Sequence, residues 1–271
     1  VLITNPRDMP KFCADLKKNP FTAITGVNTL FIGLMNQESF RNLDFKDLKL
    51  ALGGGMAVQD VVAHEWKELT GCVLLEAYGL SETSPAATIN PWNGQHKIGS
   101  IGLPLPNTDI KILDDDMKEV ETGSPGEIAI KGPQVMKGYW QRPEETSKSM
   151  HGEYFLTGDV GTMDKKGFFK IVDRKKEMIL VSGFNVYPND VEKAISENSK
   201  VLEVGVRGEK KDDGSEFVRA FIVKKDPSLT EEEVIEFCRT KLTNYKVPKS
   251  VSFRNELPKS NVGKILRRLL D

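Results

Sequence analysis

Three consecutive glycines, Gly53-Gly54-Gly55, end the apolar run Leu48-Lys49-Leu50-Ala51-Leu52 and precede a segment, Val58 to Leu69, whose Val61, Val62, Ala63 and Trp66 share one helical face. A second apolar run, Cys72 to Ala77, is bounded by Gly71 and Gly79. Strand, glycine turn, helix and strand in that order predict βαβ layering and a parallel sheet in the first 80 or so residues. Upstream, from Met9 to about Thr70, the pattern reads as helical segments around one short strand, with Phe12, Leu16, Leu30, Phe31, Leu34 and Met35 at helical spacing.

After Pro91 the texture changes. Short alternating runs at Thr108 to Leu113, Gly126 to Gly132 and Phe168 to Val172 are separated by Gly and Pro, which predicts a small antiparallel sheet or barrel. A third texture begins near Asp173. There a helix over Asn189 to Glu197 is followed by strands at Val201 to Arg207 and Phe217 to Lys224. A further helix begins at the capping-box sequence Thr230-Glu231-Glu232-Glu233. The fold class expected is therefore α/β and α+β. It comprises an α/β subdomain over 1–90, a β-barrel-like subdomain over 91–172 and a small α+β domain over 179–271, joined by a linker at 173–178. That linker opens with five consecutive charges, Asp173-Arg174-Lys175-Lys176-Glu177. Such a run is ordinarily a solvated hairpin or linker, and it is also where a hinge rotates cheaply.

Composition narrows the function classes. The 271 residues are 39% hydrophobic and 28% charged with a formal net charge of -1, so the chain is globular and carries no global attraction for nucleic acid or anionic lipid. Cys13, Cys72 and Cys238 are odd in number and widely spaced, unlike a disulfide framework or zinc site, and a reducing cytoplasm fits them best. The most apolar stretch, Ala23 to Met35, is shorter than the about 20 residues a bilayer needs. Lys246 to Asp271 holds seven basic and two acidic residues. This local surplus is ordinarily a solvated, basic terminal helix, and it is also the surface by which the chain would meet the inner face of an anionic membrane.

Candidate chemistry lies at the ends of the apolar runs. Tyr78-Gly79-Leu80-Ser81-Glu82-Thr83 follows a buried strand, where α/β proteins place ligand loops. Its carboxylate and two hydroxyls suit Mg²⁺ and phosphate oxygens, and Tyr78 suits a purine; a strand-end turn with Tyr78 as core is the plain alternative. Gly54 and Gly55 would let a flat ligand approach backbone. Asp159, after Tyr154-Phe155-Leu156-Thr157-Gly158, suits a ribose diol or simply a Gly-Asp turn. Lys264 stands beside Gly263 near the C-terminus.

Together these elements have a distinctive order: the glycine turn; Tyr-Gly-Leu-Ser-Glu; Gly126-Glu-Ile-Ala-Ile-Lys-Gly-Pro133 with Gly138-Tyr139-Trp140; Thr157-Gly158-Asp159; Asp173-Arg174 leading to Ser182-Gly183-Phe184-Asn185-Val186-Tyr187-Pro188; and Gly263-Lys264. The whole chain resembles the adenylate-forming superfamily, and Val135 to Trp140, Ile171 to Val191 and Pro258 to Arg268 look most like bacterial long-chain fatty acid–CoA ligases.

The resemblance implies an acetyl-CoA synthetase-like fold with a mobile C-terminal domain, with ATP, Mg²⁺ and coenzyme A joining fatty acid as reactants and AMP and diphosphate as products. It implies that Lys264 bridges the substrate carboxylate and α-phosphate, that Ser81 touches the α-phosphate and that Glu82 positions Mg²⁺. By the same resemblance Gly54, Gly55, Met56, Ala77 and Tyr78 line adenine, Asp159 and Arg174 hold ribose or phosphate, Lys176 is the hinge and Gly183 lets the pantetheine arm pass. Val27, Leu30 and Phe31 are candidates for the acyl pocket.

The family's Ser/Thr/Gly-rich phosphate loop has no counterpart here, so the chain is expected to be the C-terminal portion of a longer ligase. Alone it is expected to be inactive and to leave apolar surface uncovered. An acyl-AMP ligase, an acyl-carrier-protein synthetase and a non-catalytic nucleotide- or CoA-binding module are the alternatives.

Overall fold

The computed structural model describes residues 5, 8–211, 213–260 and 265–271. The chain divides into two compact units, Val1–Thr157 with Gly161–Ile171, and Gly158–Val160 with Val172–Asp271.

The first unit opens with α1 (Met9–Lys18), β1 (Ala23–Gly26), α2 (Asn28–Met35), α3 (Glu38–Arg41), β2 (Leu50–Gly53), α4 (Asp60–Thr70) and β3 (Leu74–Gly79). β1 pairs with β2 and β2 with β3, both in parallel. The helices supply the crossovers that parallel neighbours require. Two strands precede α4 where one was expected: β1 has four residues, of which only Ile24 is buried, and so leaves almost no alternation to read. Trp66 from α4 and Phe31 from α2 meet edge to face at 4.9 Å in a core shared with Phe40, Leu34, Ala51 and Leu74. Phe31 is fully buried there, which corrects its assignment to an acyl pocket.

β4 (Ala86–Ile89) and β5 (Leu103–Pro104) extend the same sheet, β4 pairing antiparallel with β3 and β5 antiparallel with β4. A second, curled sheet follows, built from β6 (Asp109–Leu113), β7 (Gly126–Lys131), β8 (Met150–His151), β9 (Tyr154–Met163) and β10 (Phe169–Arg174) in the order β10-β9-β7-β6, with β8 on β9. α5 (Pro143–Lys148) lies between β7 and β8 in sequence. Ile101, Ile110, Ile112, Ile128, Ile130 and Phe169 form its apolar core. Val61, Trp92 and Trp140 are the large, mostly exposed apolar side chains among the described residues of this unit.

The second unit contains the hairpin β11 (Ile179–Val181) and β12 (Phe184–Val186), then α6 (Pro188–Ser196), β13 (Val201–Lys210), β14 (Glu216–Lys224), α7 (Glu231–Lys241) and β15 (Ser250–Arg254). β13 and β14 are antiparallel and β15 runs parallel to β14. α7 starts with the predicted capping box, the Glu233 N–H donating to Thr230 Oγ1 and the Thr230 N–H donating to Glu233 Oε2. Two expectations fail here. The charged run is not solvated throughout, because Asp173 at its start is 1% exposed and Lys176 alone of the five is exposed. Likewise the basic C-terminal stretch forms no α-helix among its described residues: it holds β15, the end of a 3₁₀ turn at Asn244–Lys246 and another at Arg267–Leu269, and Arg267 points inward.

Candidate functional site

In the first unit, parallel pairing brings the ends of β2 and β3 side by side, so the glycine turn lies next to the Tyr78 loop. The Gly54 N–H donates to Gly26 O at 3.0 Å, and a Cβ on Gly54 would lie 3.5 Å from the Ala77 carbonyl oxygen. Gly54, Met56, Ala77 and Tyr78 are half-buried and Gly55 is exposed. Tyr78 packs against the core beneath the curled sheet. After it the chain reverses so tightly that a Cβ on Gly79 would sit 1.7 Å from Pro85 O, which no side chain tolerates.

Thr83, one of the two hydroxyls expected to face phosphate, is fully buried instead. Its Oγ1 accepts from the Leu80 N–H at 2.9 Å and donates to Pro85 O at 2.7 Å, which holds the loop shut. Ser81 remains exposed and Glu82 half-buried. The Glu82 Oε1 accepts from the Tyr139 hydroxyl at 2.9 Å, and its carbonyl accepts from the Met136 N–H at 2.8 Å. Partial burial and the adjacent carboxylate push the Tyr139 pKa up, so the phenol stays a donor. Tyr139 had been quoted only as part of a sequence motif. Its role depends on a contact 57 residues away along the chain, which no local pattern announces.

Beneath this loop lies a carboxylate that the sequence reading passed over. Glu76, 8% exposed, accepts from the Val58 N–H at 3.2 Å and from the backbone of Gly99. Burial pushes its pKa up to about 7 against the opposing pull of these two bonds, and Asp60 adds to the rise. Glu76 therefore ties the segment after the glycine turn to the loop before β5. Glu76 sits one residue before Ala77 in β3, and the apolar letters around it concealed a buried acid.

In the second unit Asp159 lies within a ten-residue strand and not at a Gly-Asp turn. It is 3% exposed, and its Oδ1 pairs with Arg174 Nε at 2.9 Å. Lys176 is exposed within the 3₁₀ turn Lys175–Glu177. Ser182 and Gly183 make the two-residue turn of the β11–β12 hairpin with φ of 51° and 83°, the left-handed pair that such hairpins use. A Cβ on Gly183 would meet nothing within 4 Å, so the backbone conformation is what demands glycine within this unit. Beside the turn, Phe184 stacks on Tyr245 at 4.6 Å. Lys264 lies outside the described residues.

An open depression of about 860 Å³ around His96, Lys97, Asp164 and Lys165 contains none of the candidate residues. No group of three or more His, Cys, Asp or Glu among the described residues is arranged to hold a metal. A single carboxylate, Glu82, fits Mg²⁺ shared with substrate phosphates and water, because this ion is commonly held by one or two carboxylates.

Residues 1–140 match the family described as AMP-binding enzyme, and residues 190–264 match the AMP-binding enzyme C-terminal domain. The chain belongs to the AMP-binding enzyme family. It is 57% identical over 270 residues to a long-chain-fatty-acid–CoA ligase of Escherichia coli O6:H1, covering 100% of this chain and 48% of the relative. It is also 43% identical over 257 residues to one of Bacillus subtilis, covering 94% and 46%. The chain thus spans about half the length of these curated relatives. Among solved structures, ATP-bound MatB from Rhodopseudomonas palustris superposes with a TM-score of 0.87 at 31% identity over 98% of this chain and 52% of that one. The o-succinylbenzoate CoA synthetase of Bacillus subtilis, in complex with its acyl-adenylate intermediate, gives 0.83 at 28% identity over 97% and 53%. The acyl-CoA synthetase-like fold class is the one expected, as is the kinship with long-chain ligases. No helix among the described residues is long and apolar enough to cross a membrane.

Proposed function

We propose that this chain is the C-terminal portion of a long-chain fatty acid–CoA ligase that converts fatty acid, ATP and CoA to acyl-CoA, AMP and diphosphate. The observation that carries the reading is 57% identity, sustained over the whole chain, to ligases of that name. A fatty acid carboxylate oxygen attacks the α-phosphorus, the bond to diphosphate breaks, and an acyl-adenylate forms. The CoA thiolate then attacks the acyl carbonyl and AMP leaves.

Each chain residue has a defined task. Negative charge grows on the α-phosphate oxygens during the first step, so donors fixed in advance lower the barrier. Lys264 and Ser81 supply them. Glu82, oriented by Tyr139, is the residue that would hold Mg²⁺, which when bound neutralises phosphate charge. Gly54, Gly55, Met56, Ala77 and Tyr78 form the adenine surface, their adjacency following from parallel β2–β3 pairing. Asp159 takes the ribose hydroxyls, for which Arg174 must release its Oδ1 and turn toward ribose or phosphate. Rotation at Lys176 withdraws Lys264 and presents Gly183 for the thioester step. The protein works in the cytoplasm, where its basic C-terminal stretch can approach the inner membrane.

The test uses the longer protein with palmitate, ATP and CoA. Palmitoyl-CoA and AMP are expected, and Lys264→Ala is expected to block acyl-adenylate formation while sparing conversion of preformed palmitoyl-AMP. Equal loss of both half-reactions would remove the role given to Lys264.

A further inference from the structure

Arg267 is the centre of a buried ionic cluster in the second unit, with a side chain 12% exposed. Its Nη1 lies 3.0 Å from Asp173 Oδ1 and 2.5 Å from Glu177 Oε2. Nε and Nη2 form a two-pronged contact with Glu192 at 2.8 and 2.6 Å, and Nη2 also donates to Asn189 Oδ1. Glu192 in turn accepts from the Val206 N–H at 2.8 Å. Asp173 accepts from the Arg174 N–H at 2.8 Å and the Asn189 N–H at 2.7 Å, and Asn189 Nδ2 donates to Val172 O at 2.8 Å. Burial alone would lower the guanidinium pKa, but Glu192, Asp173 and Glu177 drive it upward, so the cation is fixed.

These contacts sort into two groups about Lys176. Arg267–Glu177 and Arg267–Glu192 join residues that all follow Lys176 in the chain and would move together. Arg267–Asp173, Asn189 N–Asp173 and Asn189 Nδ2–Val172 O join residues on opposite sides of it. A torsion change at Lys176 large enough to swing the small domain must break the second group and can leave the first intact. We propose that Arg267 and Asn189 form a latch on Asp173 and Val172 that holds one of the two domain poses and must open for the other. The inference rests on the rotation proposed above, and it makes Arg267 and Asn189 positioning residues.

The sequence hid this latch. Asp173 and Arg267 stand 94 residues apart, each inside a charged run that ordinarily faces solvent. A desolvated carboxylate that loses its cation is costly, which makes the latch two-state instead of gradually extensible.

Two variants test it. Arg267→Lys keeps the charge but cannot span Asp173, Glu177 and Glu192 at once, and Asn189→Ala removes the side-chain bond to Val172 without burying a charge. The first readout is amide hydrogen exchange of the chain itself, at Arg174 and Asn189, whose N–H groups both donate to Asp173. Exchange is expected to rise at least about tenfold in Arg267→Lys, with the amides of β14 unchanged. The second readout, in the longer ligase, compares acyl-adenylate formation with thioester formation from preformed palmitoyl-AMP.

Asn189→Ala and Arg267→Lys should change the ratio of these two rates at least about fivefold, because one pose is released at the expense of the other. Glu177→Gln, a contact on one side of Lys176, should not change it. Equal losses in both half-reactions, or unaltered exchange at Arg174 and Asn189, would overturn the latch. If the longer protein forms no acyl-CoA at all, the functional reading fails, while the exchange measurement still decides whether the latch exists.

Discussion

Glu76→Gln isolates the energetic consequence of burying an acid beneath the candidate nucleotide loop. Burial raises the carboxyl pKa from an ordinary 4.5 to about 7, so the folded state holds its proton more tightly than the unfolded chain. The sign follows: the favourable contribution is complete below pH 4.5 and is lost as pH rises toward 7. Two and a half units at 1.36 kcal/mol each amount to about 3 kcal/mol over that window. Glutamine keeps an oxygen acceptor for the Val58 or Gly99 N–H, carries no charge and does not titrate. Its amide group places a donor where one of those N–H groups points, which costs about 1–2 kcal/mol at any pH. The variant should therefore be more stable than the parent by about 1–2 kcal/mol at pH 8 and less stable at pH 5. Urea unfolding followed by tryptophan fluorescence reads this directly, because Trp66, Trp92 and Trp140 all belong to the unit that contains Glu76. A difference that stays constant from pH 5 to pH 8 would refute the claim that Glu76 is held as a partly protonated, desolvated acid.

Tyr139→Phe removes the 2.9 Å bond to Glu82; stability should change by no more than about 0.5 kcal/mol, while ATP–diphosphate exchange in the longer protein falls about tenfold and its Mg²⁺ requirement rises. Gly183→Ala forces a side chain into φ of 83° and should cost the second unit about 1 kcal/mol. If the pantetheine arm passes Gly183, thioester formation should fall far more than that loss explains, whereas adenylate formation should not. Trp66→Phe should change stability by less than about 1.5 kcal/mol, because the indole Nε1–H has no partner among the described residues, while Trp66→Ala should cost about 3–5 kcal/mol. Thermal unfolding monitored by circular dichroism distinguishes the two.

Much of the fold was legible because it depends on local patterns. The βαβ block could be read from apolar runs punctuated by glycine, the second texture from short alternating segments, and α7 from its capping box. β1 was missed because one buried residue in four gives no period. For Asp159 the local pattern left a Gly-Asp turn open beside a ribose ligand, and only the structure removes the turn, because the strand that holds Asp159 runs on to Met163. Long-range contacts fared worse. Thr83, Tyr139, Glu76 and Arg267 owe their roles to partners that only tertiary structure supplies, and each had an adequate local explanation as loop hydroxyl, surface aromatic, strand residue or solvated charge. The resemblance to adenylate-forming enzymes named the residues that would touch substrate and was silent about the ones that hold those residues in place.

The most direct test of the central claim is the identity of the nucleotide product. The longer protein should consume ATP only when fatty acid is present and release AMP and diphosphate in equal amounts, with palmitoyl-CoA formed once CoA is added. ADP and orthophosphate, or no fatty-acid-dependent ATP consumption by the correctly folded protein, would contradict the account.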